Sequence, residues 1–474
     1  MSPVGSSWRR LARLYAITLA LAVLSPGCGR REDDDARTRH IVLWDKWTGF
    51  EGEALDRVVE LYNRHQRERA ELEPDYRPIR VEKVTVSAIE QKLLVAIAGG
   101  NPPDVAGTYS YLIAAYVDRG ALVDLTDRFA AAGISAERYV PVYWDLVSYH
   151  GRVWGAPSTP ATTALHWNKR LFREAGLDPE KPPATIEELD AYAERLTRWE
   201  VTHPDGSRET LSGYLPDVPG DRKRLVQAGF LPGVPAWWNW SWGFHFGGRL
   251  HDGDRVTAAD PRNVRAFEWF ASYSKRLGVP EVQRFRSGFG NFSSPQNPFL
   301  SAKLAMQIQG VWMYNFIDKY APGMQWGTAP FPHPEHRPDL ARPSLNEADV
   351  FVIPKDASHP DEAFDFIRFL SSQQAMELLC LGQRKFSPLL EVSEWFRREH
   401  PHPNLEMFRS LSFSKAGFST PKLGVYPQYK RELDAAVDAI GNLSKTPEDA
   451  LLEVQVRIQD AHDRDRKRVL RRRD

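Results

Sequence analysis

Between residues 40 and 117, short apolar runs alternate with helix-period segments, and this alternation limits what the chain can fold into. His40-Ile41-Val42-Leu43-Trp44 is rich in β-branched and large apolar residues and reads as a buried strand. After a loop at 45–52, Ala54, Leu55, Val58, Val59, Leu61 and Tyr62 recur at helical spacing. The alternating stretch 79–84 predicts a second strand. Ile89, Leu93, Leu94, Ile97 and Ala98 predict a second helix, ended by Gly99-Gly100. Asn101-Pro102-Pro103 is a turn, Asp104-Val105-Ala106-Gly107 opens a third strand, and 112–117 begins another helix. A β-α-β-α-β-α order predicts a mainly parallel, layered α/β sheet, because parallel neighbours need a crossover that returns over one face.

Farther on, Tyr149-His150-Gly151-Arg152-Val153-Trp154-Gly155-Ala156-Pro157 reads as strand, tight turn, strand and the start of an extended crossover. Leu165-His166-Trp167-Asn168 then leads through Lys169-Arg170-Leu171-Phe172 into a helix, which ends at Ala175-Gly176-Leu177-Asp178-Pro179. A helix capped by Thr185 is predicted over 186–199, and Asp205-Gly206-Ser207 reads as a hairpin tip. The stretch 230–253 is irregular and rich in Trp, Pro and Gly. Residues 261–277 read as a helix with Phe267, Phe270 and Tyr273 on one face. Residues 299–308 read as a short helix running into a strand, and 350–354 as another strand. Helices are predicted over 361–370, 374–381, 429–440 and 447–461, the last with the start signal Thr446-Pro447-Glu448.

The beginning of the chain resembles an export signal. Arg9, Arg10 and Arg13 precede an apolar run at 14–24, shorter than the roughly 20 residues a membrane-spanning helix needs. Ser25-Pro26-Gly27-Cys28 resembles a lipoprotein cleavage site, although Ser25 stands where an aliphatic residue is usual. The expected reading is a signal peptide at 1–28, a lipidated Cys28 and a polar tether at 29–40. A cleaved soluble form and an uncleaved anchor are the alternatives. The other cysteine, Cys380, lies in an apolar helical run and is expected to be a buried, inert thiol, so no internal disulfide can form in the mature body. Lys plus Arg and Asp plus Glu balance at 62 each, which argues against nucleic acid as the main partner. The basic end 464–473 reads either as a solvated helix end or as a contact with anionic lipid headgroups. More than 400 residues follow the tether, too many for one ordinary core, so two lobes are expected.

Several short blocks in order resemble the extracellular solute-binding proteins that feed sugars to ABC importers. Asn101-Pro102-Pro103-Asp104-Val105 is similar to that family's strand entry, and the 149–179 segment to its middle. Ala302-Lys303-Leu304-Ala305-Met306 with Gly310-Val311-Trp312 is a third block, and 350–354 followed by 360–370 a fourth. Thr446-Pro447-Glu448-Asp449-Ala450-Leu451 closes the set. The resemblance implies a two-lobed periplasmic-binding-protein fold, each lobe a mainly parallel sheet flanked by helices, with ligand in a cleft at the hinge. The first lobe would take 41–160 and 349–396, and the second 161–348 and 400–470. It also implies a monomer in the periplasm or at the cell surface, held to the membrane through Cys28, whose closed form is presented to permease subunits.

A sugar offers hydroxyl edges and an apolar C–H face, so its site needs hydrogen-bonding groups and aromatic plates. The chain has 15 Trp, many in the expected cleft loops. Trp47, Thr48 and Glu51 lie in the first strand-to-helix loop, and Thr108 and Tyr109 end the third strand. Thr159 and Thr162 lie in the crossover, and Trp237, Trp238 and Trp240 in the irregular stretch. Trp312 follows Gly310, where the family often places a stacking ring. Glu347 and Asp349 stand where many members carry glycines, and read either as acceptors for sugar hydroxyls or as caps of the hinge. Tyr426 is a further ligand candidate. Against these, Trp44, Trp154 and Trp167 read as core, and Trp47 and Tyr109 are open between ligand plate and packing. Within the Trp237–Trp240 cluster at least one stacking ring is expected, with the rest packing. Glu51 reads equally as a helix-start carboxylate.

No zinc-protease, P-loop or nucleophile-elbow motif is present, and His333-Pro334-Glu335-His336 lies in a Pro-rich loop without ligand spacing. No catalytic residue, metal or cofactor is expected. The leading reading is a carbohydrate receptor of an importer, with an oligosaccharide as the expected ligand. A secreted glycoside hydrolase, whose reaction needs a pair of carboxylates, and a ligand-sensing subunit of a signalling receptor are the competing classes.

Overall fold

A computed structural model describes residues 37–290 and 292–473; the expected signal, Cys28 and residues 29–36 of the tether lie outside the described residues. Strands β1 (Arg39–Asp45), β2 (Ile79–Thr85) and β3 (Val105–Tyr109) pair in parallel, with Ile41 opposite Val81 and Leu43 opposite Val105. Helices α1 (Gly49–Leu72), α2 (Ile89–Ala98) and α3 (Ile113–Asp118) follow them in turn. On α1 the buried face is Ala54, Leu55, Val58, Val59, Leu61 and Tyr62, the stripe that the sequence spacing predicted. After α4 (Thr126–Ala131) and α5 (Pro141–Val147), β4 (Ser148–Tyr149) and β5 (Arg152–Val153) form a hairpin. Both of its turn residues, His150 and Gly151, have positive φ, which Gly151 adopts without a Cβ penalty.

Next comes β6 (Ala156–Asn168), a 13-residue strand, and Asn168 caps α6 (Lys169–Glu174) by accepting from the Arg170 and Leu171 amides. Thr185 caps α7 (Ile186–Leu196) as expected. That helix stops three residues short of the predicted end because Trp199 belongs to β7 (Arg198–Thr202), which is fully buried at this residue; its indole donates to the Gly213 carbonyl. β7 pairs antiparallel with β8 (Arg208–Ser212), around the expected tip, and with β9 (Lys223–Gln227). The irregular stretch contains α8 (Trp242–His245) and part of the hairpin β10 (His251–Asp252) and β11 (Arg255–Val256), followed by α9 (Pro261–Leu277) and α10 (Val279–Ser287). The short helix expected before β12 (Met306–Gly310) does not form: the approach is a series of turns, and Ala302 sits at φ 59°. The chain continues through α11 (Met313–Tyr320), β13 (Trp326–Ala329), β14 (Ser344–Val352), α12 (Pro360–Leu370) and α13 (Gln373–Gln383). It ends with α14 (Glu394–Glu399), α15 (Leu405–Leu411), β15 (Gly417–Phe418), α16 (Tyr426–Gly441) and α17 (Pro447–Arg473). None of the described helices is long and apolar enough to cross a membrane.

The main sheet is mixed, in the order β12-β6-β14-β3-β1-β2, with β13 added to β6 and β15 to β14. β2-β1-β3 are parallel, as are β14 and β15; β14 runs antiparallel to both β3 and β6, and β12 antiparallel to β6. Two long strands therefore carry the sheet from one core to another. β6 pairs with β14 through Ala156–Thr162 and with β12 through Thr163–Trp167. One core gathers Ile41, Leu55, Val105, Tyr143, Phe351, Phe366 and Leu379, and the other Leu165, Phe172, Trp199, Trp242, Tyr429 and Leu451. Cys380 is buried in the first core, where desolvation pushes its thiol pKa up. Leu405, Phe408 and Leu411 of α15 also pack in the first core, and the chain enters the second at Leu423. A smaller cluster of Phe299, Met313, Phe316 and Ile317 has Phe50, Phe292 and Trp312 packed against it, so side chains of both halves meet there.

Candidate functional site

Four charges of alternating sign lie at the edge of the first core, beside the Trp312 ring that meets Trp238 of the second. Lys46, just past β1, places Nζ 2.9 Å from Asp349 Oδ1 and donates to the Thr108 carbonyl at 3.2 Å. On β14, Asp349 lies opposite Tyr109 of β3 and accepts from Thr159 Oγ1 at 2.9 Å. Lys385, beyond α13, reaches Asp349 Oδ2 at 3.2 Å and Glu51 Oε1 at 3.1 Å. Each buried charge thus has a counter-charge, which is the condition for leaving water without neutralising. Burial alone would raise the Asp349 carboxyl, but Lys46 and Lys385 outweigh it and hold its pKa below the usual value. Burial would likewise lower Lys46 and Lys385, but Asp349 with Asp45 raises the first, and Glu51 with Asp349 raises the second. Asp45 is the exception. Burial pushes its carboxyl up to about 6, Lys46 opposing; Oδ1 accepts the Trp47 amide at 2.7 Å, and Oδ2, packed over Gly107, has no partner.

Aromatic rings border this network. Lys46 Nζ lies 4.5 Å from the ring centres of both Trp47 and Tyr109, and Lys385 Nζ 5.6 Å from Trp47 and 5.7 Å from Trp312. Trp312 contacts Trp238 at 5.9 Å between ring centres, Trp238 contacts Trp237 at 5.6 Å, and Trp237 contacts Phe292 at 4.4 Å. In the other direction Tyr109 stacks on Tyr111 at 5.3 Å, and Tyr111 meets Tyr426 edge-on at 6.3 Å. Gly310 makes the Trp312 position possible: a Cβ there would overlap three carbons of the indole, none farther than 2.5 Å.

The structure brings Trp47, Glu51, Tyr109, Thr159, Trp238, Trp312 and Asp349 into one neighbourhood. Trp47 is only 6% exposed, with its edge on Phe351, so both readings held open for it find partners: the core on one side and the two lysines on its face. Thr48 is exposed at the start of α1, where its side chain caps nothing. Thr108 is buried with an unpartnered hydroxyl. Thr162 differs from the expectation of a cleft residue. It is enclosed between β6 and β14, donates to Asn346 Oδ1 at 2.9 Å and shares a 2.7 Å hydrogen bond with the Tyr143 hydroxyl. Trp237 is the open ring of its cluster at 43% exposure and Trp238 is half-buried, whereas Trp240, 3% exposed, packs edge-on against Phe244 and Tyr426. Tyr426 is also enclosed, at 1% exposure, so neither ring is an open plate; both lie in the second core because α16 begins there. Glu347 accepts from Ser110 Oγ and from the Thr420 amide at 2.6 Å, tying β14 to segments from both halves. Burial raises its carboxyl pKa. The sequence reading missed Lys46, Lys385, Ser110 and Tyr111. A lysine one or two positions past an apolar strand or helix was the available sign for the first two, since a buried lysine requires a carboxylate.

A family profile described as bacterial extracellular solute-binding protein matches residues 70–395. The glycerol-3-phosphate-binding periplasmic protein UgpB of Escherichia coli K12 is 33% identical over 159 residues, 32% of this chain and 34% of that protein. The chain thus matches about a third of the length of these curated relatives. Among solved structures, CpMnBP1 with mannobiose bound is 25% identical, with TM-score 0.73 over 89% of this chain and 99% of that one. The Listeria monocytogenes ABC substrate-binding protein Lmo0181, in complex with cycloalternan, shares the fold at 20% identity, with TM-score 0.68 over 90% and 98% of the two chains.

Proposed function

Because the chain belongs to the bacterial extracellular solute-binding protein family, we propose that it binds a carbohydrate, an oligosaccharide, and delivers it to the permease of an ABC importer. The observation that carries this reading is the row of half-buried indoles, Trp312 and Trp238, beside a fully compensated set of charges at the edge of the first core. Indole faces suit the C–H side of a sugar ring, and ionised groups at the edge suit its hydroxyls. The mannobiose and mannotriose complexes of CpMnBP1, at 25% and 26% identity, support the same ligand class.

The two cores act as two lobes, with β6, β14 and the segment 412–422 as the three crossings between them. On this division 400–411 goes with the first lobe. The chain binds and releases without bond chemistry. Glu51, Glu347 and Asp349 are each held by a lysine or by protein hydrogen-bond donors, which leaves none of them as an acid or nucleophile waiting for substrate. Cys28 carries the lipid that anchors a monomer outside the cytoplasm.

The test is a panel of neutral oligosaccharides, including mannobiose, mannotriose and maltose, read by tryptophan fluorescence and melting temperature. Saturable responses to one sugar class, lost in Trp312→Ala, are expected. A panel with no response in either readout overturns the reading. Reducing ends released from any member would overturn the absence of chemistry.

A further inference from the structure

A groove of about 390 Å³ opens at the Trp237 end of the indole row. Its walls include Trp237 and Phe292, Arg286 of α10 with Phe289 two residues past that helix, and Gln307 of β12. The volume falls in the range of small-ligand pockets. Trp237 meets Phe292 edge-on at 4.4 Å and keeps 43% of its surface open. Asn297 fixes the loop behind them: it donates to the Phe292 carbonyl at 3.0 Å and accepts the Phe299 amide at 2.9 Å.

The groove shares its first wall with the site. Trp237 lines it and is also two ring-centre steps, of 5.6 Å and 5.9 Å, from Trp312 through Trp238. Phe292 and Trp312 pack on the same apolar cluster of Phe299, Met313, Phe316 and Ile317. Along β12, Gln307 is three residues from Gly310, beside which the Trp312 indole lies, a span of about 10 Å. Each ring-to-ring step is comparable with one pyranose residue, so a chain of three sugars reaches from Trp312 into the groove.

Gln307 is a second, independent sign of a ligand. It is 2% exposed, yet its side-chain amide nitrogen has no hydrogen-bond partner. Met306 and Ile308 enter the second core, whereas Gln307, alternating with them, turns to the groove. A buried amide without a partner is costly, and an apolar side chain would occupy the position without that cost. A half-turn of the amide exchanges its oxygen and nitrogen, so it can offer a ligand hydroxyl either an acceptor or a donor. Arg286 is the one charged residue among those that line the groove. Aromatic rings, a neutral amide and a single cation suit an uncharged polyhydroxyl ring.

We propose that this groove is an outer saccharide subsite, which takes a sugar residue beyond those covered by Trp312 and Trp238 and so sets the preferred ligand as a chain of at least three residues. The inference rests on the carbohydrate reading above and adds the length of the ligand. Trp237 lies against the C–H face of the added ring, and Gln307 and Arg286 meet hydroxyls at its edge.

The test titrates mannobiose, mannotriose and mannotetraose, and maltose, maltotriose and maltotetraose, calorimetrically into the full chain. At least one tri- or tetrasaccharide is expected to bind about tenfold more tightly than the disaccharide of its series. A longer chain that binds where its disaccharide gives no response counts as the same gain. Arg286→Ala and Gln307→Leu should each reduce the gain about fivefold, the loss of one hydrogen bond, with disaccharide affinity as in the parent. Arg286 is exposed, so its variant should keep the parent's melting temperature, and its result stands even if Gln307→Leu does not fold. Longer chains that bind no more tightly than disaccharides, or a gain that survives in every folded variant, overturn the inference and leave the carbohydrate reading intact. No response to any saccharide overturns both.

Discussion

Substituting Gly310 by alanine tests whether Trp312 is held as a plate for ligand. The added Cβ would sit no more than 2.5 Å from three carbons of the indole. Carbon atoms at rest are about 3.5–4.0 Å apart, so the ring has to move by about 1 Å or more. It cannot remain flat over the end of β12, and its contact with Trp238 goes with it. Overpacking of this kind costs about 1–3 kcal/mol of stability. Loss of a positioned aromatic face costs about 1–2 kcal/mol of binding, or about 5- to 30-fold in Kd. The assay is tryptophan fluorescence titration with the most strongly binding saccharide, and thermal melting without ligand, on the parent, Gly310→Ala, Trp312→Ala and the double variant. Gly310→Ala should weaken binding nearly as much as Trp312→Ala. In the Trp312→Ala background it should change little, because the ring it displaces is already gone. Full-strength binding by Gly310→Ala, or equal further losses in both backgrounds, would refute the assigned role of Trp312.

Three other outcomes are expected. Asp349→Ala leaves Lys46 and Lys385 buried without their shared counter-charge and should cost about 3–5 kcal/mol in urea unfolding at neutral pH; because the Asp349 pKa is depressed, its contribution is present above the ordinary carboxylate range and lost as pH falls through the folded value, so the difference from the parent should shrink in acid. Asp45 has the opposite sign: its pKa is raised from 3.8 to about 6, so its stabilisation is complete below about 3.8 and lost as pH rises through 6. Asp45→Asn should therefore gain up to about 3 kcal/mol on the parent between pH 4 and 8, and an identical difference at both ends would contradict the assignment. Trp240→Ala should cost about 3–5 kcal/mol of stability by opening a cavity, whereas Trp238→Ala should lose mainly binding; the reverse pattern in melting and titration would show that their burial has been misassigned.

Much of the fold was legible in the chain itself because it depends on local pattern. The stripe on α1, the strands at β1–β3 and the cap at Thr185 follow from spacing and side-chain chemistry within a few residues. The misses have tertiary causes. Trp199 continues the helical pattern in sequence, but the buried place for its indole lies in β7, beside the Gly213 carbonyl. The 299–308 run has helix-forming residues but turns at Ala302, where Pro298 accepts the amides of Lys303 and Leu304. At the site, Trp238 and Trp240 are two positions apart and pack on the same core, but Trp238 stays half-buried and faces Trp312 whereas Trp240 is sealed under α16.

By itself, then, the sequence determined the alternation of strands and helices, the need for two cores, and a stock of aromatic and polar residues suited to a sugar. The tertiary structure decided which of them meet. Lys46 and Asp349 are 303 positions apart, yet their charged atoms lie 2.9 Å from each other, and Glu51 at the start of α1 reaches Lys385 beyond α13 at 3.1 Å. Periodicity and capping act over a few residues, so a chain displays them; a buried ion pair or a stacked ring is chosen by which distant surfaces exclude water together, and that exists only once the chain has folded.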